Sequence, residues 1–295
     1  MNAFSSAFPF SVSGRYSGRM ILLDGKALAQ KILTELKEEI VRIGKTLRLA
    51  VVVVGDDPVT RRFIEQKKKA AQLIGVEVSI HPFEMTVTKK ALRESLAEIV
   101  HEERNTGVIV QIPLPKEINT QYIVDAIVLK KDVDVLSAEA LGDFAAGKEN
   151  VMPPVVAAIK TLLDAYEIEY RKKHFVLLGA GRLVGKPMAY WLLRQQATFS
   201  AITEETLNPA EILKMGDIVV AGIPGSHYVT GDMVKEGVIV IDAGTSEAGG
   251  KETGNVDFES VAPKASFLTP VPGGVGPLTV AMLFKNLLTL AKQRL

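Results

Sequence analysis

The sequence contains no cysteine among its 295 residues, which excludes disulfides, a thiolate nucleophile and cysteine-based zinc sites. It fits a reducing compartment, the cytoplasm being the expectation. Four histidines, His81, His101, His174 and His227, are scattered without metal-ligand spacing, so no metal is expected. Net charge is only +1, and no basic stripe with interleaved aromatics occurs, which removes the electrostatic case for nucleic acid or an anionic membrane. No apolar run approaches membrane-spanning length. At 47% hydrophobic residues the chain can bury one large core or two medium ones, and two domains are the expectation, with small ligands as partners.

The most informative stretch runs from Phe175 to Glu205. Phe175 to Leu178 is a short apolar run that stops at Gly179, the pattern of a buried parallel strand. Gly179, Gly181 and Gly185 permit a tight turn into a helix whose first amides suit a diphosphate. A second strand, Thr198 to Ile202, leads to Thr203 and Glu204, where an acid about 20 residues past the glycines is placed for a ribose 2′-hydroxyl. The spacing GxGxxxG is a weak signal alone, and any βαβ turn would satisfy it. Repetition strengthens it. Ile218 to Gly222, followed by Ile223 and Pro224, and Val238 to Gly244, followed by Thr245, repeat the apolar strand ending in glycine. Such endings gather loops on the nucleotide-binding edge of a parallel sheet.

Residues 1–19 are rich in Ser and Phe and contain no acid, and are expected to form a disordered extension; an organellar leader would carry the same bias. From Met20 onward strands and helices alternate. A predicted helix from Val59 to Ile74 places Thr60, Phe63 and Lys67 on one face, so that a hydroxyl, a ring and an amine lie together. The bland reading of Lys67-Lys68-Lys69 is a solvated basic face. Gln111 falls at the carboxyl end of the strand that runs into Pro113 and Pro115, where polar residues face ligand clefts. Asp132 and Asp134 read as turn formers or a cap. A joint is expected between Leu141 and Pro154. Near the C-terminus, Pro270 to Pro277 holds three Gly and three Pro in eight residues, a rigid loop ahead of a closing helix from Leu278 to Leu295.

Six motifs, in order, give this chain a resemblance to the bifunctional methylenetetrahydrofolate dehydrogenase/cyclohydrolase family. They are LDGKALA at 23–29, GDDP with a following aromatic-xxx-Lys at 55–67, VQIPLP at 110–115, KDVD at 131–134, VGKPMA at 184–189 and TPVPGGVGPLTVAML at 269–283. The resemblance implies an α/β fold of two domains: a folate-binding catalytic domain over 20–150 plus 278–295, and a Rossmann-like parallel-sheet domain over 151–277. The last helix returns to the first domain. The resemblance further implies oxidation of 5,10-methylenetetrahydrofolate with NAD or NADP, then hydrolysis to 10-formyltetrahydrofolate, and a homodimer. The family's catalytic lysine falls on Lys67, its partnering glutamine on Gln111 and its pterin-binding aspartate on Asp134. Thr60, Phe63, Pro272, Gly273, Gly274, Gly276 and Thr279 are expected at the folate. Gly179, Ala180, Gly181, Arg182, Leu183, Val184, Gly185, Thr203, Glu204, Gly222, Ile223, Pro224 and Thr245 are expected at the dinucleotide.

Several positions depart from the family pattern. Phe63 stands where the family usually has tyrosine, so stacking survives without the phenol. Val135 replaces the glycine after KDVD. Gly179-Ala180-Gly181 replaces the family's GRS, whose Arg and Ser commonly hold the 2′-phosphate of NADP, and a further serine aligns with Glu204. A carboxylate repels a phosphate but accepts from a ribose diol, so the expectation is a preference for NAD. Arg182 is the objection, as a shifted arginine able to reach the phosphate. Two other readings stay open: a dehydrogenase that has lost hydrolysis through Phe63, and a non-catalytic paralogue that binds folate or nucleotide.

Overall fold

The computed structural model describes residues 15–16, 20–248 and 251–294. Of the expected extension over 1–19, only Arg15–Tyr16 (β1) lies among them, paired antiparallel with Met20–Leu22 (β2); the rest lies outside the described residues. Asp24 then starts α1 (Gly25–Ile43) by accepting from the Ala27 amide at 2.9 Å. The first unit continues through β3 (Arg48–Val54), α2 (Pro58–Ile74), β4 (Glu77–Phe83), α3 (Lys89–His101) and β5 (Gly107–Val110). Its three strands are parallel in the order β4-β3-β5. Both faces of β3 are covered: Leu49, Val51 and Val53 join the core beneath α1 and α2, while Ala50, Val52 and Val54 join a second core with Leu92, Leu96 and Val100 of α3. Burial on both faces explains why β3 reads as an unbroken apolar run.

A short helix α4 (Thr120–Val124) and a single 3-10 turn (Leu129–Lys131) lead to α5 (Ala138–Ala146), and Pro154 opens α6 (Pro154–Ala165). The second unit follows as β6 (His174–Leu178), α7 (Gly185–Arg194), β7 (Thr198–Ile202), α8 (Pro209–Met215), β8 (Ile218–Ala221) and β9 (Val238–Asp242). It ends with a hairpin of β10 (Ser246–Ala248) and β11 (Lys251–Thr253), then α9 (Phe258–Val261) and β12 (Ala265–Leu268). Its sheet runs β1-β2-β12-β9-β8-β6-β7, parallel throughout except at β1. The crossovers place β6 and β8 side by side and parallel, so the loops after both strands open on one edge.

Two segments bind the units together. The closing helix α10 (Val275–Lys292) packs on α1 of the first unit and on α6 of the second, and is apolar on nearly every side because both cover it. Its buried Asn286 donates from Nδ2 to the carbonyls of Val133 at 2.9 Å and Met152 at 2.7 Å. The second segment differs from expectation. Met20–Leu22, grouped by chain order with the first domain, instead pairs in parallel with β12, Phe267 opposite Ile21. A three-residue strand satisfies its backbone wherever an edge is free, and β12 supplies that edge.

Candidate active site

The first cluster grows from α2. Its N-cap, Asp57, accepts from the amides of Val59 at 3.0 Å and Thr60 at 2.9 Å. A hydrogen bond from the Thr60 side chain, followed by those amides, holds the Asp57 carboxyl below the usual carboxylate range against the opposing effect of burial. Thr60 is thus 6% exposed and engaged in the helix start. Two turns on, Lys67 Nζ donates to Gln111 Oε1 at 2.8 Å and stands 6.0 Å from the centre of the Phe63 ring. The Lys68 ammonium goes to Glu65 at 2.7 Å, outside this contact, so the basic-face reading holds for Lys68 and fails for Lys67.

Gln111 is fixed at side chain and backbone, since Nε2 donates to the Ile112 carbonyl at 3.0 Å and the backbone N–H donates to the Val52 carbonyl at 2.8 Å. Oε1 therefore faces Lys67. Burial lowers the Lys67 ammonium pKa, and the opposed charge of Asp134 partly restores it. Burial likewise pushes the Asp134 carboxyl up to about 6, with Lys67 pulling it down and Asp132 pushing it further up. Two half-buried ionisable groups thus sit close enough to perturb one another, with a rigid amide at one of them.

The segment carrying Asp134 explains why three charges occur in four residues. Lys131 is buried and donates to the carbonyls of Val100 at 2.6 Å and Glu102 at 2.8 Å, closing the end of α3. Asp132, fully buried, accepts from the amides of Leu136 at 3.3 Å and Ser137 at 2.9 Å and forms the turn into α5. Only Asp134 remains to face Lys67. Val135, next in line, is buried with φ of 56°, a left-handed backbone that a β-branched residue rarely adopts.

The second cluster lies at the dinucleotide loop. Gly185 begins α7 so close to Gly179 that a Cβ would stand 1.9 Å from the Gly179 carbonyl oxygen. Over Gly181 the space is open, the nearest atom to a Cβ there being the Gly222 oxygen at 4.0 Å. Val184 gives α7 no side-chain cap, unlike Asp24, Asp57, Thr88 and Ser137 at α1, α2, α3 and α5. An open glycine beside uncapped helix amides fits the diphosphate of a dinucleotide. Leu183 is exposed and Val184 buried. Thr203 and Glu204 lie exposed in the turn after β7, where the Thr203 amide donates to Thr206 Oγ1 at 2.8 Å. Arg182 Nη1 donates to Gln121 Oε1, across to α4 of the first unit.

The Gly222–Pro224 loop is held by a residue that sequence reading missed. Asn255 is fully buried; it accepts from the Ile223 amide at 2.9 Å and donates to the carbonyls of Ile223 at 2.9 Å and Gly225 at 2.7 Å. Asp242 plays a like part for the neighbouring strand end, accepting from Gly244 at 2.9 Å and Val256 at 2.9 Å. Thr245 is exposed beside it. The loop over Pro270–Pro277 is tied to α1 through Lys26, whose amide donates to the Gly273 carbonyl at 2.8 Å. Within it Pro272 and Gly276 are exposed and Gly274 is buried, while the Thr279 hydroxyl donates back to Val275 at 2.9 Å.

Residues 23–134 match the catalytic domain of tetrahydrofolate dehydrogenase/cyclohydrolase, and residues 153–295 match the NAD(P)-binding domain of the same enzymes. The chain belongs to the tetrahydrofolate dehydrogenase/cyclohydrolase family. It is 39% identical over 279 residues to the bifunctional protein FolD of Nitratiruptor sp., covering 93% of this chain and 99% of the relative. Among solved structures, the FolD methylenetetrahydrofolate dehydrogenase/cyclohydrolase of Campylobacter jejuni superposes with a TM-score of 0.89 at 38% identity, over 94% of this chain and all of the other. The Trypanosoma brucei enzyme, solved with NADP and an inhibitor, gives 0.88 at 31% identity over 94% and 98%. In the family's terms, the Lys67 cluster lies in the catalytic half and the Gly179 loop in the NAD(P)-binding half.

Proposed function

We infer that this chain oxidises 5,10-methylenetetrahydrofolate to the 5,10-methenyl form with NAD(P), and that the same site hydrolyses that product to 10-formyltetrahydrofolate. The observation that carries the reading is the Lys67–Gln111 pair facing Asp134. The bound dinucleotide supplies the hydride acceptor. For the oxidation the protein has mainly to orient the folate, because the methenyl cation is stabilised by its own two nitrogens. Asp134 accepts from the aminopyrimidine edge of the pterin, and the Phe63 ring stacks beside it. In the hydrolysis, the oxygen of water bonds to the methenyl carbon and gives up one proton, then gives up its second as the formyl carbonyl forms and the bond to N5 breaks, and N5 gains one of the two. One proton reaches solvent overall. Lys67, with its ammonium pKa lowered by burial, moves these protons while Gln111 aims Nζ. The Lys67–Gln111 hydrogen bond forms without a phenol, which favours retention of hydrolysis with Phe63 in place.

Lys67→Ala is expected to abolish hydrolysis while dinucleotide binding persists; an unchanged hydrolytic rate would remove Lys67 from the reaction. NAD is the preferred dinucleotide in this reading. Its support is the exposed Glu204 in the turn after β7, a carboxylate that would repel a 2′-phosphate. Initial rates with NAD and NADP at matched concentrations test it, and a faster rate with NADP would refute it.

A further inference from the structure

Arg182 supplies the one guanidinium of the Gly179–Gly185 loop, yet its Nη1 donates to Gln121 on α4 of the other unit. The acceptor is held in place from behind. Gln121 Nε2 donates to Asp125 Oδ1 at 2.7 Å and to the Leu136 carbonyl at 3.2 Å. Asp125 Oδ1 in turn accepts from the Ala138 amide at 2.8 Å. An amide whose donor end is fixed in this way presents its oxygen in a set direction, and a guanidinium that meets it forms a charge-assisted hydrogen bond. A 2′-phosphate would have to take Arg182 from this partner, whereas a free 2′-hydroxyl asks nothing of it.

We propose that Gln121 is a positioning residue for dinucleotide choice: by holding Arg182 against the first unit, it withdraws the loop's cation from the 2′-phosphate and favours NAD. The inference rests on the reading that residues 179–185 and 203–204 bind the dinucleotide. It differs from the Glu204 argument in mechanism, since Glu204 repels the phosphate directly while Gln121 removes its counter-charge.

The test is calorimetric titration of the full chain with NADH and with NADPH, without folate. Gln121→Ala releases Arg182 and is expected to improve NADPH affinity relative to NADH by about tenfold, the weight of one hydrogen bond to a charged group. Gln121→Glu gives up the donor to Asp125 and Leu136, so its carboxylate turns away from Asp125 and toward Arg182; the guanidinium is then held by an ion pair, and the ratio is expected to move the other way. A merely structural role would shift both dinucleotides together and in one direction for both variants. Adding Arg182→Ala to either variant should erase the difference between them. An unmoved ratio in Gln121→Ala, or a shift that survives loss of Arg182, would overturn the inference while leaving the dinucleotide site intact. Binding of neither dinucleotide by the unaltered chain would overturn the site and the inference together.

Discussion

Gly25 and Gly274 pack backbone against backbone: a Cβ on Gly25 would stand 1.9 Å from the Gly274 carbonyl oxygen. The start of α1 and the proline-rich loop ahead of α10 therefore share one space. Gly25→Ala must displace one of them, at a cost of roughly 1–3 kcal/mol, the usual range for an overpacked site. The expected outcome is a lowered melting temperature with a raised KM for folate, at unchanged dinucleotide affinity. Equal melting temperatures would show that the loop yields freely.

At the catalytic cluster, the informative substitution is Gln111→Glu. A carboxylate beside Lys67 favours the ammonium and counteracts the lowering caused by burial. The acid limb of the hydrolysis pH profile is expected to move to higher pH. Lys67→Met, by contrast, should lower hydrolysis by about 10²–10⁴-fold, the usual range for loss of a positioned acid–base group. A profile that does not move in Gln111→Glu would separate Lys67 from the proton transfers.

Asp134 carries a pH dependence of known sign. With its carboxyl pushed up to about 6, folate KM is expected to rise as pH falls through that value, and to be flat there in Asp134→Asn. Stability runs in the opposite sense. A raised folded pKa gives a contribution that is complete below the ordinary 3.8 and is lost as pH rises through about 6. Above pH 6 Asp134→Asn should therefore be more stable than the parent, by at most about 3 kcal/mol and less to the extent that Lys67 loses its opposing charge. Urea midpoints at pH 4 and pH 8 decide this; a larger gain at pH 4 would contradict it.

Val135 makes a prediction that inverts a common order. Its left-handed backbone costs about 1–3 kcal/mol, and its buried side chain returns roughly 1.5–3 kcal/mol. Val135→Gly removes both and should change stability little. Val135→Ala loses most of the burial and keeps the strain, so alanine should be the less stable of the two variants. Chemical denaturation of the pair measures it, and a more stable alanine variant would show that the strain is small.

Much of this architecture was legible because periodicity and punctuation report local structure. Strand β7 spans Thr198 to Ile202 as expected, and α2 differs by one residue because Pro58 itself occupies the first turn. The pairing of Lys67 on α2 with Gln111 just past β5 was legible through the family resemblance of the motifs that carry them, since helical spacing alone leaves the lysine run as a solvated face. What was not legible depends on partners distant in sequence. Met20–Leu22 carries no mark of which sheet it will join, and β12 claims it. Asn255 stands in a stretch without periodicity, and its worth comes from Ile223 and Gly225, thirty-odd residues away. The β10–β11 hairpin escaped notice because its polar strands, Ser246–Ala248 and Lys251–Thr253, have no apolar alternation to announce them. The engagement of Arg182 by Gln121 crosses between units, and only the fold brings the two side chains to one place.

The pairing of β2 with β12 also sets a timetable. During synthesis Ile21 emerges early, while its partner Phe267 is among the later residues to be made. At about 5–20 residues per second, the wait is roughly ten to fifty seconds. For that interval the nascent β2 has β1 for a partner on one side and nothing on the side that β12 will take. The joining of β2 to the second sheet is thus governed by the ribosome's pace rather than by the speed of any local folding step.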